Sequence, residues 1–237
     1  MSDVDYTLIT GAATRVGRAI ALHLAAHGHH IAIHYHRSQE EARSLKNEIE
    51  RMGRCALLIQ GDLSQSETTA SIIEAVLEVG KIRALVNNAS IFERFDTRGT
   101  TLEAWQRSLA VNLTAPFLLS QAYATHSSSG RIVNLLDWRT ERSDRDHLPY
   151  AVSKAALEAL ARNLAADLAP LFQVNGLALG AVLPPSDGRD VQAIIQDVPA
   201  KRWAAIEEVG EAVRFLLEGP SYITGEVLTL DGGRHLL

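Results

Sequence analysis

Cysteine is almost missing from this chain: Cys55 is the only one in 237 residues. A single thiol excludes an internal disulfide framework and any metal site built from several cysteines. Its setting, C-A-L-L-I-Q, predicts a buried strand thiol with no chemistry of its own. Positive charge is not in excess either: 23 basic residues face 28 acidic ones, for a net charge of −5, and no basic stripe is present. Nucleic acid is therefore excluded as a partner. No apolar run is long enough to span a membrane, and the acidic start M-S-D-V-D-Y leads straight into a strand pattern without a signal peptide, so a soluble cytoplasmic protein is expected. Internal repeats, low-complexity tracts and linkers are also lacking. The histidines His23, His27, His29, His30, His126 and His147 show no metal-ligand spacing supported by cysteine or carboxylate, so they read as surface or structural residues and no metal is expected.

What the chain does have is a 46% hydrophobic composition, enough for one substantial core, and a regular alternation of short apolar runs with helical patterns. Strands are predicted at Tyr6–Thr10, His30–Tyr35, Cys55–Gln60, Ile82–Asn87, Arg131–Asp137, Gln173–Leu179 and Glu226–Leu230. Helices are predicted near 15–28, 38–52, 67–79, 101–125, 149–169 and 207–217. Near-continuous apolar strands separated by amphipathic helices imply a parallel sheet covered on both faces: an α/β, doubly wound single domain over residues 1–237. The stretch from Gly180 to Pro199, with Pro184-Pro185 and Gly188, reads as a long loop and a candidate lid.

The first strand runs into T-G-A-A-T-R-V-G-R, Thr10 to Arg18, and then a helix. Gly11 permits a tight turn and Gly17 permits close helix–strand packing. The helix N-terminus offers free N–H groups and a positive dipole end to a pyrophosphate. The spacing is not G-x-G-x-x-G, and Arg15 stands where a third glycine might be expected. The second strand then points to the cofactor. It ends H-Y-H-R-S, His34 to Ser38, with no carboxylate before Glu40 to bond a ribose 2′-hydroxyl. Arg37 can fork onto a 2′-phosphate and Ser38 can donate beside it, which favours NADPH over NADH. Asp62, after the third strand, either accepts from an adenine amino group or caps a helix.

Asn87 ends the fourth strand, at the sheet edge where ligands sit; a structural turn and a cofactor contact both explain it. Asn112 lies in a helical run four residues before Pro116. Proline has no N–H, so the Asn112 carbonyl loses its usual partner, and the result is either a plain kink or a kink that holds an inward-facing water. Tyr150 and Lys154 are four residues apart on a predicted helix, so they share one face, and an ammonium there lowers the pKa of a neighbouring phenol.

With these residues in hand, the chain resembles the short-chain dehydrogenase/reductase family over essentially its full length. The T-G-x-x-x-x-x-G turn, N-N-A, Asn112, Y-x-x-x-K and the closing D-G-G at Asp231–Gly233 all fall in family order. The resemblance implies a Rossmann-type sheet of seven strands and a nicotinamide cofactor. It also implies Tyr150 as proton donor aided by Lys154 and Asn112, and a homotetramer or homodimer packed through the helices at 101–125 and 149–169. The stripe Leu157, Leu160, Ala161, Leu164, Leu168 fits a packed face, against its own sheet or a partner. The cofactor contacts implied are Gly11, Arg15, Val16, Gly17, His34, His36, Arg37 and Ser38 at the first two strands. Asp62, Leu63, Asn87, Ala89, Ser90, Tyr150, Lys154 and Gly180 complete them.

Most of that family carries serine where this chain has Asp137, thirteen residues before Tyr150. A hydroxyl donates to a substrate carbonyl as hydride arrives; an ionised carboxylate cannot, and it repels a developing alkoxide. A carboxylate suits a substrate that presents N–H groups, or a proton relay through Tyr150. Asp137, together with T-G-A-A-T-R-V-G, H-Y-H-R-S and L-V-N-N-A-S-I-F, resembles the pteridine reductase branch, and D-G-G-R-H-L resembles bacterial dihydromonapterin reductases. By that resemblance Arg15, Ser90, Phe92, Asp137 and Tyr150 hold the pterin, with Phe92 stacked on it. The expected activity is NADPH-dependent reduction of a dihydropterin. A carbonyl or 3-oxoacyl reductase on the same fold is the first alternative, and a non-catalytic NADPH-binding sensor the second.

Overall fold

The computed structural model describes residues 4–142, 144–183 and 191–237. Seven strands, all parallel, form one sheet in the order β3-β2-β1-β4-β5-β6-β7. They are β1 Asp5–Ile9, β2 His30–Tyr35, β3 Ala56–Gln60, β4 Lys81–Asn87, β5 Gly130–Asp137, β6 Phe172–Leu179 and β7 Val227–Leu230. The helices are α1 Arg15–Ala26, α2 Gln39–Arg51, α3 Glu67–Leu77, α4 Leu102–Leu109, α5 Ala115–His126, α6 Leu148–Leu168, α7 Val191–Gln196 and α8 Ile206–Glu218.

Successive strand residues point to opposite faces, and the core divides accordingly. Ile9 and Val133 join residues of α1, α2 and α8 (Ile20, Leu24, Leu45, Ile49, Val213) on one face. Their neighbours Leu8 and Ile132 join residues of α3, α5 and α6 (Ile72, Ile73, Leu119, Ala161, Leu164) on the other. This is why the strands read as unbroken apolar runs: both sides are covered, and each buried Leu or Ile contributes about 1.5–3 kcal/mol. The α6 stripe is spent on its own chain, since Leu157 packs with Leu136 and Ala178 while Ala161 and Leu164 lie in the second cluster. Among the described residues, no helix is long and apolar enough to cross a membrane.

Three expectations change. Cys55 is exposed, one residue outside β3; its N–H donates to His30 Nδ1 and its carbonyl accepts from Ile31, so its backbone is fixed at the sheet edge while its thiol faces out. The single helix expected over 101–125 is three pieces, with a π-helical turn at Ala110–Thr114 between α4 and α5. The Gly180–Pro199 stretch is not one open loop, because α7 forms within it and Val198 is buried. Pro184, Pro185 and Gly188 of the expected lid lie outside the described residues.

The strand order reverses direction at β1, which lies between β2 and β4. A crevice opens at such a switch point beyond the carboxyl ends of the strands. Here those ends are Ile9 and Asn87.

Candidate active site

A groove of roughly 700 Å³ begins at that crevice. The β1–α1 turn supplies Gly11, Ala13, Thr14, Arg15, Val16 and Gly17; the end of β2 supplies His34, His36, Arg37 and Ser38; the loop after β3 supplies Asp62 and Leu63; the loop after β4 supplies Asn88, Ala89 and Ser90. The glycines are dictated by contact. Gly11 has φ +61°, and a Cβ at Gly17 would lie 2.3 Å from the Gly11 carbonyl oxygen and 2.6 Å from Asn88 Nδ2. Asn88 ties the two loops together by donating from Nδ2 to the carbonyls of Thr10 (2.8 Å) and Gly11 (3.1 Å). Arg15 opens α1 at φ +51°, a left-handed conformation uncommon outside glycine, with its side chain on the groove wall.

The first turn of α1 holds no acidic residue, and among the described residues its N-cap Thr14 makes no side-chain cap. Its N–H groups and dipole therefore face the groove without an internal acceptor, which suits a phosphate. Arg37 is exposed beside them. His34, on the groove wall, also braces the turn. It is buried, its Nδ1 accepts from the Gly11 N–H at 3.2 Å, and its Nε2 donates to the Gly61 carbonyl at 3.2 Å. The two partners fix the tautomer, and burial pushes its pKa down to about 4, so the ring stays neutral and braces the turn. Asp62 is not a helix cap: α3 begins five residues later, and the carboxylate accepts from Ser64 N–H at 2.9 Å. That bond holds its pKa below the usual range.

Two residues expected as cofactor contacts have close protein partners. Asn87 is buried and donates to Asn134 Oδ1 at 2.9 Å, so the residue on the groove wall is Asn88. Gly180 is packed against Asp231, where a Cβ would sit 2.5 Å from the aspartate Cβ, and its N–H donates to the Leu230 carbonyl. Its glycine identity answers to that contact.

Asp137, Tyr150, Lys154 and Asn112 converge at the ends of β5 and α6. Pro149 in the first turn of α6 starts the helix, setting Tyr150 beside the strand end. The Tyr150 hydroxyl donates to Asp137 Oδ2 at 2.8 Å, while Asp137 Oδ1 accepts from Arg139 N–H at 2.9 Å. Burial, then the Asp137 charge and hydrogen bond, push the phenol's pKa well above its ordinary value. This reverses the expected lowering by Lys154. The ammonium lies 5.9 Å from the ring centroid and donates to the Leu135 carbonyl at 2.7 Å, and burial brings its own pKa down to about 8. Tyr150 is thus a protonated donor, and Lys154 is the group that titrates.

Asn112 sits in the π turn, fully buried. Its Nδ2 donates to the Ile91 carbonyl and to Ser153 Oγ, both at 3.0 Å, and its Oδ1 accepts from Ile91 N–H and Ser90 Oγ. Ser153 in turn donates to the Tyr150 carbonyl. Asn112 therefore couples the loop carrying Ser90 to the helix carrying Tyr150 and Lys154, and its side chain is fully used in doing so.

Phe92 joins this site: its ring meets Tyr150 edge-on at 4.6 Å between centroids and stacks on His147 at 4.1 Å, nearly parallel. His147 was read as a surface or structural residue, yet it supports the aromatic wall. Its Nδ1 donates to the Asp144 carboxylate at 3.1 Å, and its Nε2 is buried without a partner among the described residues. Its place three residues before Tyr150 and three after Asp144 was the available signal. Arg139 completes the wall, 3.7 Å from Asp137, 3.8 Å from Asp144, and over Phe92 at 5.6 Å.

Residues 11–235 match the family model described as enoyl-(acyl carrier protein) reductase. A 3-oxoacyl-[acyl-carrier-protein] reductase of Synechocystis sp. is 31% identical, covering 95% of each chain. Among solved structures, the FolM alternative dihydrofolate reductase 1 of Brucella suis, in complex with NADP, superposes with a TM-score of 0.90 at 34% identity, covering 98% of this chain and 96% of that one. A blue fluorescent protein from a metagenomic library, in complex with NADPH, gives 0.92 at 30% identity, covering 98% of each. With matches over nearly its whole length and the glycine turn, buried lysine and tyrosine in place, this chain belongs to the short-chain dehydrogenase/reductase family of oxidoreductases.

Proposed function

We propose that this protein reduces a dihydropterin-type substrate with NADPH. The observation that carries the reading is the pair Tyr150–Asp137, a protonated phenol bonded to a carboxylate, with Phe92 against the same phenol. A flat heterocycle presenting N–H groups matches a carboxylate acceptor beside an aromatic wall. The similarity to a structure named as an alternative dihydrofolate reductase supports the same class.

The groove fits the cofactor: the open first turn of α1 takes the pyrophosphate, Arg37 and Ser38 take a 2′-phosphate, and Asp62 borders the adenine end. A bound nicotinamide supplies the hydride, delivered to the carbon of a substrate C=N bond. Asp137 accepts an N–H of the heterocycle and orients it, while Tyr150 releases its proton to the ring nitrogen. Lys154, charged below its pKa of about 8, stabilises the phenolate that remains until solvent restores the proton. Asn112 and Ser153 keep the two halves of the site in register.

The 31% identity to a 3-oxoacyl reductase favours a second reading, reduction of a ketone. Against it stands the ionised carboxylate, which repels the alkoxide that forms. Following NADPH oxidation with dihydromonapterin, dihydrobiopterin, dihydrofolate and a 3-oxoacyl thioester separates them. Faster turnover of any dihydropterin supports the proposal, faster thioester turnover supports the second reading, and tight NADPH binding with no turnover at all would mark a sensor.

A further inference from the structure

Beyond the ring-holding residues lies a cluster the mechanism does not use. Trp138 follows Asp137 directly and is surrounded by three guanidinium groups, with Arg234 at 4.5 Å, Arg142 at 5.3 Å and Arg139 at 5.7 Å from its ring. They come from distant parts of the chain: Arg139 from the 3-10 turn after β5, Arg142 just beyond it, and Arg234 from the 3-10 turn near the C-terminus. Like charges gathered this closely repel one another, and the ring's negative face offsets part of that cost. The three cations are not equally occupied. Arg139 faces Asp137 and Asp144. Among the described residues, the Arg142 guanidinium donates only to the His235 carbonyl, and the Arg234 guanidinium makes neither a hydrogen bond nor an ion pair, with Asp197 and then Asp137 as the acidic groups that act on it. Burial and the neighbouring Arg139 make the Arg234 charge costly, which an incoming anion would relieve.

Position gives the cluster its meaning. Arg139 touches both Phe92 and Asp137, the two groups proposed to hold the heterocycle. Trp138 bridges from Arg139 to Arg142 and Arg234. A substrate ring seated at Phe92 therefore has a planar residue and then two uncommitted guanidinium groups along one side. We propose that Trp138, Arg142 and Arg234 form a subsite for an anionic substrate tail, the benzoyl-glutamate of a dihydrofolate, with its carboxylates on the two arginines. This rests on the pterin reading and makes it more specific: the preferred substrate carries a carboxylated tail rather than a short neutral one. Forked carboxylate binding is what arginine geometry provides and lysine geometry does not.

The test compares kcat/KM for dihydrofolate and dihydrobiopterin in the wild type and in Arg142→Gln, Arg234→Gln and the double variant, together with calorimetric binding of free p-aminobenzoyl-glutamate to each NADPH-loaded protein. The double variant is expected to lower kcat/KM for dihydrofolate at least tenfold more than for dihydrobiopterin, and to abolish p-aminobenzoyl-glutamate binding. Equal losses on both substrates, or no loss on dihydrofolate, overturn the subsite. If the wild type turns over no pterin, the proposed function fails first. In that case p-aminobenzoyl-glutamate binding that is lost in the double variant still supports an anion subsite, and no binding to the wild type overturns it. Circular dichroism of each variant identifies any that has not folded, and Arg142→Lys with Arg234→Lys, which keeps the charge and removes the fork, then serves in its place.

Discussion

The Tyr150 hydroxyl donates a hydrogen bond to Asp137 Oδ2 at 2.8 Å, joining the first turn of α6 to the end of β5 between residues thirteen positions apart. A hydroxyl in the place of Asp137 could give a proton to a substrate; this carboxylate only receives one when ionised. The pair also decides the phenol's protonation, because a negative neighbour in a buried site opposes phenolate formation. In the proposed reaction Tyr150 consequently acts as the acid.

Lys154 should then govern the pH dependence. Its ammonium is buried and its pKa falls to about 8, so the charge is present below that value and lost as pH rises through it. kcat/KM, which reports the free enzyme, is expected to decline about tenfold per unit above pH 8, with no limb from Tyr150 between pH 6 and 9. Stopped assays from pH 6 to 9.5 check this, and a profile flat to pH 9.5 contradicts it.

Arg37 should decide between the two nicotinamide cofactors. Replacement by alanine removes a forked phosphate contact, and NADPH is expected to bind about 10–100-fold more weakly while NADH binding changes less than threefold. Fluorescence titration of both cofactors measures the ratio. Equal weakening of the two would mean that Arg37 contacts something other than the 2′-phosphate.

Acid should destabilise the fold partly through His34. The folded ring has a pKa of about 4 against 6.5 for an ordinary histidine, so between those values the unfolded chain binds the extra proton. Stability from the neutral ring is complete above pH 6.5 and is lost as pH falls toward 4, by on the order of 3 kcal/mol. Urea unfolding at pH 7.5 and 4.5 is expected to show a smaller loss in His34→Gln than in the wild type. Identical losses would assign the acid sensitivity to other groups.

His147 should act through Phe92. Without the stacked ring, Phe92 loses its support against Tyr150, and His147→Ala is expected to raise KM for a dihydropterin about tenfold with a much smaller change in kcat. His147→Phe, which restores a stacking surface, should recover most of it. A fall in kcat alone, not rescued by phenylalanine, would point to a proton-handling role instead.

The fold class was legible because the central strands are buried on two faces, so runs such as His30–Tyr35 carry an apolar signature. Gly11 and Gly17 were equally readable, since a turn and a close approach leave glycine as the residue that fits. What escaped depends on three-dimensional neighbours. The direction of the Tyr150 shift is set by burial and by Asp137, whereas the Y-x-x-x-K spacing alone suggested the opposite sign. Pro116 announced a break near Asn112, yet the π turn and the hydrogen bonds of its side chain follow from packing between α4 and α6. Arg139, His147 and Arg234 lie in turns or at helix ends without periodicity, so no local pattern separates them from ordinary surface residues. Cys55 failed for a simpler reason: the strand begins one residue later than its apolar neighbours suggested.

In the proposed function a carboxylate, acting with a protonated phenol, suits this site to a C=N bond and not to a ketone. The direct measurement is the ratio of kcat/KM for dihydropterin to that for a 3-oxoacyl thioester, in the wild type and in Asp137→Ser, with NADPH affinity followed as a control. On substitution that ratio is expected to fall about 100-fold or more, with NADPH binding retained. An Asp137→Ser enzyme that keeps full dihydropterin turnover and the wild-type ratio would contradict it.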